Sequence, residues 1–298
     1  MVFGNKPDLK LEGVYTALVT PFSGEGVDFD ALTKLVEEQV AAGIDGLVPC
    51  GTTGECPTLS HDEHDKVIEH IVKVVAGRVP VIAGAGSNCT AEAVRLTVKA
   101  KECGVTAVLQ VNPYYNKPNQ QGLFEHFSAI AVAGLPIVLY NIPGRTGITM
   151  SPETVAKLYR DVPEIVAIKE ATGSVDQTAE IASLCDITIL SGDDSLTLPL
   201  ISCGARGVIS VASNIIPKVM LEITHKALKN NMNDARTILL KHFSFFKVMF
   251  SETNPQPIKY AMEKTKKIPS GALRLPLVEC SGETKAKVDA MLREHKLI

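Results

Sequence analysis

The chain has no stretch approaching about 20 consecutive apolar residues, so it lacks the segment that a membrane-spanning helix requires. Its opening residues, "MVFGNKPDLKLEG", contain no apolar run of signal-peptide length. The seven cysteines are an odd number without C-x-x-C spacing, and several sit inside apolar runs, as buried thiols do. A disulfide scaffold is thereby excluded, and a reduced, cytoplasmic protein is expected. There is no basic stripe: 30 lysines and arginines are scattered among 33 acidic residues, for a net charge of −3. That balance argues against a nucleic-acid partner and against an anionic membrane surface. A glycine-rich phosphate loop is missing too. "VTPFSGEG" after the first strand candidate is not one, and "GDDSLT" and "ASNIIP" near the end of the strand series offer no phosphate cradle.

What is present is a regular alternation. Short, nearly continuous apolar runs begin at Gly13 ("GVYTALVTPF"), Gly46 ("GLVPCG"), Pro80 ("PVIAGAG"), Ala107 ("AVLQVNP"), Pro136 ("PIVLYNIP"), Ile165 ("IVAIKEAT"), Thr188 ("TILSGD") and Gly207 ("GVISVAS"). Continuous rather than alternating apolarity suits parallel strands covered on both faces. Amphipathic segments with helix-start signals lie between them. Asp28 precedes one that closes on Gly43. Ser60 opens another, with Glu63 as a capping box and Gly77 at its end. Thr90 opens a third, and Ser151-Pro152 a fourth. Eight strand–helix units predict an α/β fold, a (β/α)8 TIM barrel, and 298 residues suit it. A doubly wound open sheet is the alternative. After Lys229 only helical patterns remain, so the expected division is a barrel over 1–229 and a helical appendage over 230–298.

Chemistry on such a barrel belongs at the C-terminal ends of the strands. The ends here carry Thr52 and Thr53 ("GTTGE"), Tyr114 and Tyr115 ("NPYYNKP"), Tyr140 and Arg145 ("YNIPGRTG"), Lys169 and Glu170, then "SGDDS" and "SVASN". Lys169 follows the apolar run "IVAI", although lysine is among the residues least often buried. A surface lysine paired with Glu170 is the ordinary explanation. A desolvated amine brought down to a pKa of about 7–8 would instead attack carbonyl carbons and form a Schiff base. Imine chemistry needs proton shuttles, which tyrosine hydroxyls supply. Gly51 and Gly54 would turn backbone N–H groups toward an anion, and the two threonine hydroxyls would add donors. Arg145 suits bidentate capture of a second carboxylate.

Taken together, "GVYTALVTPF", "GTTGE", "NPYYNKP", "YNIPGRTG", "IKEATG", "SGDD", "GVISV", "NPQPIKYA" and "LRLPL" resemble, in order and over nearly the whole chain, the dihydrodipicolinate synthase and N-acetylneuraminate lyase family. These are class I, lysine-dependent aldolases. The resemblance implies a pyruvate Schiff base on Lys169, with Tyr140 as general acid and base and Thr52 and Tyr115 completing a proton relay. Tyr115 would reach across a dimer interface. Thr53 would hold the pyruvate carboxylate, Arg145 that of L-aspartate 4-semialdehyde, and Gly192 and Ile209 would line the substrate pocket. It further implies a homotetramer built as a dimer of dimers, with no metal or organic cofactor. "GTTGE" with Arg145 favours the synthase branch over sialic acid lyases. A retro-aldolase or dehydratase of a sugar-derived 2-oxo acid is the second reading, and a non-catalytic ligand-binding barrel the third.

His61 and His64, three apart on one helical face, form a poor zinc set, since Cys56 precedes the helix. The resemblance offers another role. Cys56, His61, His64, Asn88, Glu92 and Tyr114 match the residues with which lysine-sensitive family members bind free lysine as an allosteric inhibitor.

Overall fold

The computed structural model describes residues 6–298; the first five residues of the N-terminal segment discussed above lie outside this range. Eight parallel strands run β1 (Gly13–Ala17), β2 (Gly46–Val48), β3 (Ile82–Gly84), β4 (Ala107–Val111), β5 (Ile137–Asn141), β6 (Ile165–Glu170), β7 (Thr188–Ser191) and β8 (Gly207–Ser210). They are hydrogen-bonded in the order 2-1-8-7-6-5-4-3, and a parallel bridge between Leu47 and Val81 brings β2 and β3 together. The sheet therefore closes on itself. The open doubly wound sheet is ruled out, and the (β/α)8 barrel stands.

Strand periodicity sorts each run into two cores. Val138 and Tyr140 of β5, Ala167 of β6, Leu190 of β7 and Ile209 of β8 point inward, where they pack with Tyr15, Val48, Ile82 and Leu109. Their neighbours Ile137, Leu139, Ile168, Ile189 and Val208 point outward into the layer beneath the helices. Filling both faces explains the unbroken apolar runs. The interior leaves little room: a Cβ on Gly46 would lie 2.3 Å from the Tyr15 ring, so glycine is required there.

The helices are α1 (Phe29–Ala41), α2 (His61–Val75), α3 (Thr90–Glu102), α4 (Gln120–Ala131), α5 (Pro152–Asp161), α6 (Val175–Leu184), α7 (Thr197–Ser202) and α8 (Pro217–Leu228). Asp28 caps α1 by accepting from the Ala31 N–H at 2.9 Å. Ser60 and Glu63 form the reciprocal capping box on α2, and Ser151 caps α5 with Pro152 at its first position. Such caps contribute about 1 kcal/mol each. Two termini differ from the sequence reading. Thr90 is the first helical residue of α3, not its cap: its hydroxyl meets His126 Nδ1 at 2.9 Å, and Cys89 takes the cap position with its N–H donated to Ser87 Oγ. Helix α2 closes on Ala76 at φ +49°, one residue before Gly77.

Beyond the barrel follow α9 (Met232–Val248), α10 (Gln256–Lys264) and α11 (Gly282–Glu294). Helix α9 packs on α8 and α11, and α10 on α11. Their attachment to the barrel includes a fully buried ion pair, Lys259 Nζ to Glu55 Oε1 at 2.7 Å. The Arg274 guanidinium also takes both oxygens of Glu63 at the start of α2.

Candidate active site

Tyr140 and Lys169 are register partners on β5 and β6, and both side chains face the barrel interior near its C-terminal end. Lys169 is 6% exposed, and its Nζ lies 4.2 Å from the centre of the Tyr140 ring. Glu170, the next residue, faces the other side of the strand. Its carboxylate accepts from the Thr172 N–H at 2.8 Å and from Asn141 Nδ2 at 3.3 Å. Strand parity thus removes the pairing with Glu170 that an ordinary lysine would use.

Two lysines are buried among the described residues, and Lys259 is locked to Glu55 and to the Thr20 carbonyl. Lys169 has neither an ion-pair partner nor a hydrogen-bond acceptor among the described residues. A buried ammonium without a carboxylate partner is costly. Asp193, largely buried nearby, has its carboxyl pushed above the usual range by burial, with Lys169 and Lys247 opposing the shift.

The turn after β2 carries Thr52 and Thr53. It uses the N–H groups of Gly54, Glu55 and Cys56 on the carbonyls of Gly51 and Thr52. Gly54 therefore does not offer its N–H to a ligand, contrary to the sequence reading. The Thr52 and Thr53 N–H groups have no protein acceptor among the described residues. Thr53 is buried, and its Oγ1 accepts from Asn254 Nδ2 at 3.0 Å. After β5, the helical turn Pro143–Thr146 holds Arg145 exposed at the rim, where Nη2 donates to the Asn254 carbonyl at 3.1 Å.

Thr52, Tyr140 and Arg145 line one cavity of about 380 Å³ together with Cys56, His61, His64, Glu92 and Tyr114. Lys169, Thr53, Asn88, Tyr115, Gly192 and Ile209 are not on its wall. Lys169 lies against the ring of Tyr140, and Ile209 packs in the same interior cluster as that ring. Gly192 follows β7 directly, where a Cβ would meet that of Ala171 at 2.4 Å, so no larger residue fits. Tyr115 points away, 90% exposed, on backbone at φ +72° that tyrosine rarely adopts.

The outer end of the cavity is polar. His61 Nε2 meets Glu92 Oε1 at 2.9 Å, and Ser87 donates to the other Glu92 oxygen. Those bonds hold the Glu92 carboxyl below its ordinary range, Ser87 contributing most. His64 is tied down, its Nε2 donating to the Gly84 carbonyl at 2.8 Å, while Asn88 Nδ2 donates to the Tyr114 carbonyl at 3.1 Å. Burial pushes the Cys56 thiol up to about 12, so it stays neutral. No group of three or more His, Cys, Asp or Glu among the described residues is placed to hold a metal ion.

Sequence reasoning missed three groups: Asn254, the Lys259–Glu55 pair, and Asp194. The buried Asp194 accepts from the Val211 and Ala212 N–H groups at 3.2 and 2.9 Å. For Glu55 a signal existed, since an acid inside an otherwise uncharged turn needs a counter-ion.

A closed eight-stranded parallel barrel, with lysine, tyrosines, threonines and arginine gathered at its strand ends, is the architecture of a barrel enzyme acting on a small polar substrate. The model of the dihydrodipicolinate synthetase family matches residues 10–295. The chain belongs to that family. It is 49% identical over 288 residues to the 4-hydroxy-tetrahydrodipicolinate synthase of Methanocaldococcus jannaschii, covering 96% of this chain and 99% of the relative. Among solved structures it resembles dihydrodipicolinate synthase from Aquifex aeolicus (TM-score 0.95, 46% identity, 96% and 99% of the two chains). It also resembles the Cyanidioschyzon merolae enzyme with lysine bound (TM-score 0.93, 41% identity, 96% and 99%).

Proposed function

We propose that the chain is a 4-hydroxy-tetrahydrodipicolinate synthase, a Schiff-base-forming lyase that condenses pyruvate with L-aspartate 4-semialdehyde on the route to diaminopimelate and lysine. The observation that carries this reading is the buried, unpaired Lys169 beside Tyr140. Neutral Nζ attacks C2 of pyruvate, and the carbinolamine loses water to give the imine. Loss of a C3 proton gives the enamine, whose C3 attacks the aldehyde carbon. The amino group of the second substrate then displaces Lys169 and closes the ring. Tyr140 is the acid and base at the imine, and Thr52 passes protons outward. Thr53, with its N–H unused, holds the pyruvate carboxylate, while Arg145 at the rim receives that of the semialdehyde.

Tyr115 completes the relay in the neighbouring subunit. Its exposure, on a backbone conformation that holds it outward, is the behaviour of a side chain whose surroundings belong to another copy. A dimer of dimers follows as the working assembly, in the cytoplasm; among the described residues no helix is long and apolar enough to cross a membrane. Residues 230–298 serve as a helical appendage that buttresses the barrel mouth. The polar outer cavity around His61, Glu92 and Tyr114 takes free lysine, whose ammonium suits the Glu92 carboxylate.

Borohydride reduction in the presence of pyruvate, followed by mass spectrometry of the Lys169 peptide, tests the reading. A reduced adduct on Lys169 is expected, and its absence refutes every aldolase assignment. Arg145→Ala should keep the adduct but lose use of aspartate semialdehyde. An Arg145→Ala enzyme that still condenses aspartate semialdehyde normally would refute the role of Arg145, and a parent enzyme that prefers a sugar-derived 2-oxo acid in a substrate panel would refute the synthase assignment.

A further inference from the structure

Asn254 lies between α9 and α10, far from the strand ends in sequence, yet touches both residues assigned to substrate carboxylates. It is 6% exposed. Its side-chain Nδ2 donates to Thr53 Oγ1 at 3.0 Å, and its backbone carbonyl accepts from Arg145 Nη2 at 3.1 Å. The remaining side-chain atom, Oδ1, is buried without a donor among the described residues. The amide is thus fixed on the protein side by its contact with Thr53, a high cost for a group whose only purpose is packing.

A threonine hydroxyl has one hydrogen and two acceptor lone pairs. When Asn254 occupies a lone pair of Thr53 Oγ1, the Thr53 hydrogen remains available and is steered away from the amide. We infer that Asn254 is a positioning residue: its side chain makes Thr53 an obligate donor to the pyruvate carboxylate, while its backbone independently anchors Arg145 for the second substrate. The inference rests on the roles proposed above for Thr53 and Arg145. It divides one residue into two separable functions, because substitution removes the amide and leaves the carbonyl.

The distinguishing variants are Asn254→Ala, which deletes the donor, and the near-isosteric Asn254→Asp, which replaces it with an acceptor. In Asn254→Asp the Thr53 hydrogen turns toward the new carboxylate, whose charge also repels the substrate's. The measurements are KM for each substrate, and the pyruvate concentration giving half-maximal borohydride trapping. Asn254→Ala should raise both pyruvate values about tenfold, the worth of one lost hydrogen bond to a charged group. The semialdehyde KM should stay within about twofold in that variant. Asn254→Asp should be worse for pyruvate than Asn254→Ala, although it is closer in shape. In a Thr53→Val background, Asn254→Ala should add nothing further.

A residue that only packs would affect both substrates alike, would favour Asn254→Asp over Asn254→Ala, and would act additively with Thr53→Val; any of these results overturns the inference. If Asn254→Ala does not fold, the Asn254→Asp comparison and its Thr53→Val cycle decide alone. Failure of the parent enzyme to trap pyruvate would refute the functional reading itself. Trapping by the parent with an unchanged half-maximal concentration in Asn254→Asp would refute only the role of Asn254.

Discussion

Replacing Lys259 by methionine should destabilise the protein by about 3–5 kcal/mol, the usual cost of leaving one partner of a buried pair behind. The side chains of Lys259 and Glu55 are both fully buried, 2.7 Å apart. At that distance and an effective dielectric of about 20, the direct attraction is roughly 6 kcal/mol, set against the desolvation of both charges. Burial pushes the Lys259 ammonium below its ordinary range, with Glu55 opposing the shift. Methionine keeps most of the stem and loses the ammonium that sits 4.2 Å over the Phe22 ring, so the packing loss is small and the electrostatic loss dominates. Glu55 would keep one bond, from the Arg274 N–H at 3.1 Å, and the Thr20 carbonyl would lose its donor. Adding Glu55→Gln removes the stranded charge and should recover about half the loss, so the two substitutions fall well short of additive. Urea denaturation followed by far-ultraviolet circular dichroism measures this, since the chain has no tryptophan to report on. Because Glu55 ends the turn that carries Thr52 and Thr53, Lys259→Met should also raise the KM for pyruvate. A single variant within about 1 kcal/mol of the parent, or a double variant as unstable as the sum of the singles, would refute the reasoning.

Two further outcomes follow from the site's surroundings. Burial pushes the Asp194 carboxyl up to about 6 from an ordinary 3.8, so between those values the folded protein holds a proton that the unfolded chain has released. Stability should fall as pH rises through that window, by roughly 3 kcal/mol at about 1.4 kcal/mol per unit, and Asp194→Asn should flatten the slope. Urea titrations across the window check it. An unchanged slope in Asp194→Asn would refute the assignment. Millimolar L-lysine should lower the initial rate, and Glu92→Gln should raise the concentration for half-inhibition by roughly tenfold, the value of a hydrogen-bonded charge contact. A rate indifferent to lysine would remove the inhibitor site.

The barrel was legible because it is written in local patterns: eight apolar runs, each closed by turn residues, with capping serines and aspartates between them. Boundaries failed where one residue's side chain had a better offer. Thr90 has the cap signature, but its hydroxyl is claimed by His126 from α4, a contact 36 positions away. Ala76 adopts a left-handed conformation that the following Gly77 would have been expected to take alone. The geometry of the candidate site was legible where polar residues sit at strand ends in sequence order, as with Tyr140 and Lys169, which the fold brings together. It was illegible where a distant segment supplies the support. Nothing near Thr53 announces Asn254, 201 residues further on, or gives Glu55 its Lys259, 204 residues on.

The two buried lysines show why a local reading stops short of a mechanism. Each follows isoleucine, as Ile168-Lys169 and Ile258-Lys259, and each is almost wholly buried. By composition and burial alone they are equivalent, and either could be taken for a desolvated nucleophile. Their secondary structure separates them first. On β6, parity sends Lys169 inward and Glu170 outward, so the adjacent acid cannot neutralise it. On α10, Lys259 meets an acid from a different part of the chain, along with a carbonyl and the Phe22 ring. A paired ammonium is held charged and inert. Lys169 lies above the Tyr140 ring with no carboxylate bonded to it among the described residues. The same side chain therefore serves as a structural pin at one position and is left unpaired, as the proposed Schiff-base lysine, at the other, and the difference lies in which carboxylates the fold withholds.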